Sequence, residues 1–343
     1  MLKNVRKSLL ALAIMAAAAV AGQASAATLI NGAGATFPYP IYSKWFSEYA
    51  KVDPSVKFNY QSIGSGGGIK QITAQTIDFG ASDAFLSDAQ LKAAPGKLIH
   101  IPTVMGAVVV TYNIPGVSKG LKLKVEDVAD IFLGRITKWN DPRIADDNKG
   151  VNLPNQPIVV VHRSDGSGTT NIFTDFLSGV SSEWSSKVGK GTSVKWPLGL
   201  GGKGNEGVAG QVKNTRYSIG YVELAYAFEN KLPYATLKNK SGSWVEPSIK
   251  STSAAAAAAA KHMPADFRVS LVNQPGKDAY PIAGFTWLLV YEQQKDKVKG
   301  KKLVEFLNWE LAKGQKMAGA LLYAPLPENV QKMVAKTIKA IKY

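Results

Sequence analysis

The stretch Arg163-Ser164-Asp165-Gly166-Ser167-Gly168-Thr169-Thr170 combines a fixed positive charge, a carboxylate, four hydroxyls and two glycines. It follows the apolar run Pro157-Ile158-Val159-Val160-Val161, which reads as a buried strand, and precedes Asn171 to Leu177, whose apolar spacing predicts a helix. A helix start carries unpaired backbone N–H groups, so strand, Gly/Ser/Thr turn and helix present several donors to one point. Such an arrangement holds an oxyanion without a metal. Arg163 adds a planar fork matched to two oxygens, and Asp165, two residues on, is placed to keep that guanidinium flat.

Three other stretches offer groups of the same kind. Thr36-Phe37 ends a Gly-rich turn (Asn31 to Pro38) that enters a helix, and Ser65 lies in a second such turn, Ile63-Gly64-Ser65-Gly66-Gly67-Gly68-Ile69-Lys70. Taken singly, each also fits an ordinary helix cap. The second turn is no nucleotide P-loop, because Ile69 precedes Lys70 and Gln71 follows it. Asp83 closes the short strand Ile77 to Asp83 and is the odd member, since a carboxylate repels a bound anion; alone it fits a surface turn or a cap. Its presence in the site requires a ligand that carries a proton. A protonated phosphate can donate to Asp83, whereas sulfate would leave two facing negative charges, at a cost of roughly several kcal/mol in a closed site.

The elements that must position these groups alternate between strand and helix along the chain. Tyr39 to Val52, with Ile41, Trp45, Phe46 and Tyr49 at helical spacing, opens with Pro38 and Pro40, which suit a first turn. Val56 to Gln61 alternates like a strand, Ile99 to Tyr112 and Ala283 to Tyr291 read as buried strands, and Val125 to Leu133 reads as a helix. Gly199 to Gly207 is expected to be loop, Gly207 to Asn214 helix and Ser218 to Val222 strand. Ser253 is expected to cap a plain surface helix formed by the run Ala254 to Ala260, and Leu303 to Met317 and Val330 to Ile341 to form amphipathic helices. The alternation implies α/β sheets, with the two apolar strands at 99–112 and 283–291 carrying the chain between two lobes and a ligand cleft between them.

Residues 1–26 have the form of a signal peptide: Lys3, Arg6 and Lys7, then the apolar Leu9 to Val20, then Ala24-Ser25-Ala26 with cleavage expected before Ala27. The remaining 317 residues, with 45% apolar content overall, suffice for two domains. Zero cysteines exclude disulfides, thiolate metal sites and a cysteine nucleophile, and agree with an exported, periplasmic protein. The formal charge of +16, three of it in the leader, can steer anions to a cleft. Its densest part, Lys295 to Lys302, reads as a solvated face and has no nucleic-acid motif beside it. An enzyme using Ser167 or Thr36 as nucleophile would need a base or metal; the three histidines, His100, His162 and His262, have no ligand spacing, and there is no G-x-S-x-G elbow. No cofactor or metal is expected. A receptor for another oxyanion, and an adhesive role for the basic exterior, remain alternatives at this level.

GAGATFP (Gly32 to Pro38), IGSGGG (Ile63 to Gly68), DFGASD (Asp78 to Asp83) and RSDGSGT (Arg163 to Thr169) occur in that order. Together they resemble the periplasmic phosphate-binding proteins of bacterial phosphate ABC transporters. ITKWNDP (Ile136 to Pro142) and the segment from Asn205-Glu206-Gly207 through IGYVELAYA are similar too, so the resemblance spans the mature chain. It implies a two-lobe periplasmic-binding-protein fold, each lobe a mixed sheet flanked by helices, with lobe 1 at 27–111 and 283–343 and lobe 2 at 112–282. It implies a monomeric, non-catalytic receptor that delivers phosphate to a membrane permease. The phosphate ligands it implies are Thr36 (hydroxyl and N–H), the Phe37 N–H, Ser65, Asp83, Arg163, Ser167, the Gly168 N–H and Thr169, with Asp165 bracing Arg163. The chain departs from the pattern at Gly66, where some members have a second serine, and at Phe85, where proline is common.

Overall fold

The computed structural model describes residues 27–118 and 120–343; the expected signal peptide lies outside the described residues. In chain order the main elements are β1 (Thr28–Gly34), α1 (Tyr39–Val52), β2 (Val56–Ser62), α2 (Ser65–Thr73), β3 (Phe79–Ser82), β4 (Leu98–Asn113), β5 (Lys122–Lys124), α3 (Val125–Phe132), β6 (Val159–Arg163), α4 (Gly168–Val180), β7 (Leu200–Gly202), α5 (Gly204–Asn214), β8 (Ser218–Glu223), β9 (Thr236–Lys238), β10 (Trp244–Val245), α6 (Ile249–Ala260), β11 (Ala283–Tyr291), α7 (Lys297–Trp309) and α8 (Glu328–Ile338).

Strand β4 organises the sheets. Leu98 to Ala107 pair antiparallel with β11, and Val108 to Asn113 pair antiparallel with β8. One sixteen-residue apolar strand therefore serves two mixed sheets, β2-β1-β3-β11-β4 on one side and β4-β8-β6-β7 on the other. A strand buried on both faces has no reason to alternate, which is why this run reads as continuous Ile, Val and Ala. The parallel pairs β1–β2, β1–β3 and β6–β8 require crossover helices, supplied by α1, α2 and α5. A separate small sheet has the order β10-β9-β5.

Helix α1 buries Ile41, Tyr42, Trp45 and Tyr49, and its aromatic face packs into a cluster with Phe58, Phe79 and Phe306. In that cluster Phe46 stacks on Phe58 at 4.8 Å and Phe58 meets Phe306 at 4.5 Å. Aromatic contacts of this kind add about 0.5–1.5 kcal/mol each beyond the area they bury. They tie the C-terminal helix α7 to the first three strands, so both chain ends build one side of the molecule.

Several elements depart from the sequence expectation. Gly199 to Gly207 is not simply loop: Leu200 to Gly202 form an edge strand parallel to β6, and α5 begins at Gly204. The glycines there permit close packing, since a methyl on Gly202 would lie 2.7 Å from the Val208 nitrogen. The alanine helix is capped by Ser248 in a capping box with Ser251, not by Ser253. It is half-buried rather than plain surface, with Ala255, Ala256, Ala259 and Ala260 packed on β4 and β11. Alanine serves here as the smallest side chain that still favours a helix, letting the backbone approach the sheet. The helix expected over Leu303 to Met317 passes through a π-turn at Glu310–Gly314, where the Trp45 indole N–H donates to the Gly314 carbonyl at 2.9 Å. The lysine run is partly engaged, Lys299 with Asp78 and Lys302 with Asp53. Among the described residues no helix is long and apolar enough to cross a membrane.

Candidate anion-binding site

Four turns that enter helices α1, α2, α4 and α5 meet in the interior. Ser65 opens α2, Gly168 opens α4 behind its cap Ser167, and Asn205 is the second residue of α5. The Gly168 N–H donates to Ser65 Oγ at 3.0 Å and the Gly66 N–H to the Gly166 carbonyl at 2.8 Å. Asn205 reaches Thr36 Oγ1 with its backbone N–H (3.1 Å) and with Nδ2 (2.7 Å). Helix N-termini concentrate positive dipole and unpaired donors, so their convergence is an anion site before any side chain is counted.

Every residue expected to bind the ligand, or to brace one that does, is drawn into this region. Thr36, Phe37, Ser65, Asp83, Arg163, Ser167 and Thr169 are each at most 3% exposed. Their hydroxyl oxygens already accept from protein donors: Thr36 twice from Asn205, Ser65 from the Asp83 and Gly168 N–H groups, Ser167 from the Thr170 N–H, and Thr169 from Asn205 Nδ2. A hydroxyl has one proton and two lone pairs. Thr36 and Ser65 have both lone pairs occupied by the protein, which leaves the O–H to donate, while Ser167 and Thr169 have one lone pair occupied.

The backbone is oriented by the same logic. The Thr36 carbonyl accepts from the Tyr226 hydroxyl and the Phe37 carbonyl from the Tyr323 hydroxyl at 2.6 Å. In a trans peptide the N–H points opposite to the C=O, so anchoring the Thr36 carbonyl aims the Phe37 N–H the other way. Close approach also depends on glycine: a methyl on Gly168 would lie 2.5 Å from Ser65 Oγ and 2.6 Å from the Asp83 nitrogen. At the departure site Gly66, a methyl would sit 3.1 Å from Gly166 Cα, tight but nearly accommodated. Phe85, the other departure, packs edge-on against Trp287 with ring centres 6.0 Å apart.

Arg163 ends β6 and is almost fully buried. Its Nε and Nη2 donate to the two Asp165 oxygens at 2.7 and 2.6 Å, and Asp165 Oδ1 also accepts from the Gly204 N–H at 3.0 Å. Burial would raise the Asp165 pKa, but the Arg163 bond and charge and the Gly204 N–H more than offset it and hold the carboxyl below its ordinary range. Arg163 Nη1, by contrast, is buried and has no protein hydrogen-bond partner. A charged donor in that state is costly unless the site serves something that accepts from it.

Asp83 is the one acidic side chain among the expected ligands. Burial pushes its carboxyl up to about 7, against the Thr286 hydroxyl, the Arg163 charge and Ser65, which pull it down. Among the described residues no group of three or more His, Cys, Asp or Glu is placed to hold a metal ion. His162, adjacent to Arg163, lies stacked on Trp196 at 4.8 Å with its Nδ1 against the Arg163 carbonyl, and His100 Nε2 accepts from the Leu86 N–H.

The sequence reading assigned no role to Asn205, Tyr226, Tyr323 or Thr286. Thr286 carried a usable signal, as the one aliphatic hydroxyl in the apolar strand Ala283 to Tyr291. Asn205 and the tyrosines carried none, because their partners lie from 18 to 286 positions away in sequence.

A family model described as a PBP superfamily domain matches residues 19–313. The phosphate-binding protein PstS of Pasteurella multocida is 49% identical over 318 residues, which cover 92% of each chain. That of Haemophilus influenzae is 47% identical over 305 residues (89% of this chain, 90% of the relative), and that of Methanocaldococcus jannaschii 42% over 337 (92% and 86%). Among solved structures, the phosphate binding protein from Stenotrophomonas maltophilia superposes with a TM-score of 0.67 at 22% identity, covering 90% of this chain and 94% of that one, and shares the fold. The chain thus belongs to the PBP superfamily and, within it, to the family of the PstS phosphate-binding proteins.

Proposed function

We propose that this protein captures inorganic phosphate in the periplasm and delivers it to the membrane permease of a phosphate ABC transporter, as a monomeric receptor that does not turn its ligand over. The observation that carries the reading is a buried cluster of hydroxyls whose oxygens accept from protein N–H groups, beside the unpartnered Arg163 Nη1 and the buried Asp83 carboxyl. Donors alone would suit any oxyanion. Asp83 requires one that brings a proton, and phosphate at neutral pH does while sulfate does not.

The ligand shell in this reading is Thr36, Phe37, Ser65, Asp83, Arg163, Ser167, Gly168 and Thr169, braced by Asp165. The lobes are 27–111 with 283–343, and 112–282. Support for that division comes from β4, which changes partner from β11 to β8 between Ala107 and Val108, close to the first boundary. Thr36, Ser65 and Asp83 then belong to lobe 1, and Arg163 and Ser167 to Thr169 to lobe 2. Phosphate bridges the lobes and favours the closed form, which is the form a permease can distinguish from the empty receptor. Ser167 and Thr36 hydroxyls act as donors rather than nucleophiles, since the hydrogen bonds their oxygens accept come from N–H groups.

Titration calorimetry with phosphate and with sulfate, on wild type and Asp83→Asn, tests the proposal. Wild type is expected to bind phosphate at least about a hundredfold more tightly than sulfate, and the variant to narrow that ratio at least about tenfold. Equal affinity of the wild type for the two anions would refute it.

A further inference from the structure

Asn205 uses its whole amide and its own peptide N–H at the contact between the two sides of the cleft. Its Oδ1 accepts from the Glu223 N–H at 2.9 Å. The Glu223 N–H can only donate, so Oδ1 must face it, and this fixes Nδ2 towards Thr36 (2.7 Å) and Thr169 (3.1 Å). The peptide N–H adds a second bond to Thr36 at 3.1 Å. Asn205 is fully buried, so no solvent substitutes for any of these bonds.

Thr36 Oγ1 thereby receives two donors, which occupies both lone pairs and leaves its proton as the only group it can offer. Thr169 Oγ1 receives one. An uncommitted threonine hydroxyl can rotate and present either a lone pair or a proton to an anion, and the lone pair repels. We propose that Asn205, which touches no ligand in the reading above, is a positioning residue that sets the Thr36 and Thr169 hydroxyls as donors. Because Thr36 and Thr169 lie on opposite sides of the cleft, the same amide makes this polarity conditional on closure: in an open cleft Thr36 loses both Asn205 bonds. The inference rests on the proposed role of these hydroxyls in holding phosphate.

The test is a double-mutant cycle read by phosphate calorimetry, extended to millimolar phosphate. Asn205→Ala alone is expected to weaken binding about tenfold or more. In a Thr36→Val/Thr169→Val background, where the hydroxyls it orients are gone, the same change is expected to cost less than about threefold. Asn205→Asp, whose carboxylate would accept the hydroxyl protons, is expected to bind more weakly than Asn205→Ala. If Asn205→Ala lowers the melting temperature so far that binding cannot be read, Asn205→Ser serves in the same cycle. Equal costs in both backgrounds overturn the positioning role while leaving phosphate capture intact. Failure of the wild type to bind phosphate overturns the function itself, and this inference with it.

Discussion

The Thr286 hydroxyl lies 2.9 Å from Asp83 Oδ1, between two side chains that are both buried. Thr286 is on β11 and Asp83 follows β3, strands that pair antiparallel with Trp287 opposite Ser82. The sheet therefore presents a donor to one carboxylate oxygen. In the proposed function the other oxygen meets the ligand proton, and Thr286 favours the ionised Asp83 that can accept it.

Removing that donor should loosen selectivity before it harms the fold. Thr286→Val keeps the shape of the strand position but drops one hydrogen bond to a carboxylate, a change of about 1.5–3 kcal/mol for the charged form. Asp83 would then hold its proton more readily and could donate to sulfate. Competition calorimetry is expected to show the phosphate-to-sulfate ratio narrowing by roughly threefold to tenfold, less than in Asp83→Asn. An unchanged ratio would remove Thr286 from the selectivity argument.

Asp83 also predicts a pH dependence of stability in phosphate-free buffer. Its carboxyl is raised from 3.8 to about 7 by burial, so the folded state keeps a proton that the unfolded chain has lost. Its contribution to stability is fully present below pH 3.8 and is lost as pH rises through about 7. Asp83→Asn has no such loss, so its stability relative to wild type should improve between pH 5 and pH 8 by on the order of 3 kcal/mol. Burial also raises Glu310 to about 8, which acts in the two proteins alike and cancels in the difference; it raises Glu223 too, and there the Asp83 charge adds a smaller push that Asp83→Asn removes. Melting curves with a pH-independent gap between the proteins would contradict this.

Arg163→Lys separates charge from geometry. Arginine holds both Asp165 oxygens with Nε and Nη2 and still presents Nη1, whereas a single ammonium must choose between brace and ligand. Phosphate affinity is expected to fall on the order of a hundredfold with net charge unchanged. A loss within about threefold, measured by calorimetry, would mean that charge alone serves.

The sequence by itself determined the elements and the donors. The strand runs at 99–112 and 283–291 announced themselves because both faces are buried, and the Gly-rich turns before α1, α2 and α4 were legible from local turn and cap chemistry. The Arg163–Asp165 brace was legible too, because it spans two residues. Where local rules competed with packing, the sequence misled. The alanine run looked like a surface helix because alanine is neutral between water and core, and Leu200 to Gly202 looked like loop because glycine marks both loops and close approach.

Apart from Ser167, a local cap on Thr170, only the tertiary structure decided which way the hydroxyls of the site face. A threonine or serine in a sequence is donor and acceptor at once. Its role was settled by partners far along the chain, Asn205 for Thr36, Gly168 for Ser65 and Asp83 for Thr286, brought together by strands that pair across the whole fold. The turn at Arg163 to Thr170 was readable as an anion site from its own residues. In the proposed function it is one jaw of a donor cage with the Asp83 carboxyl in the other, an arrangement that rests on long-range packing, which local sequence patterns do not encode.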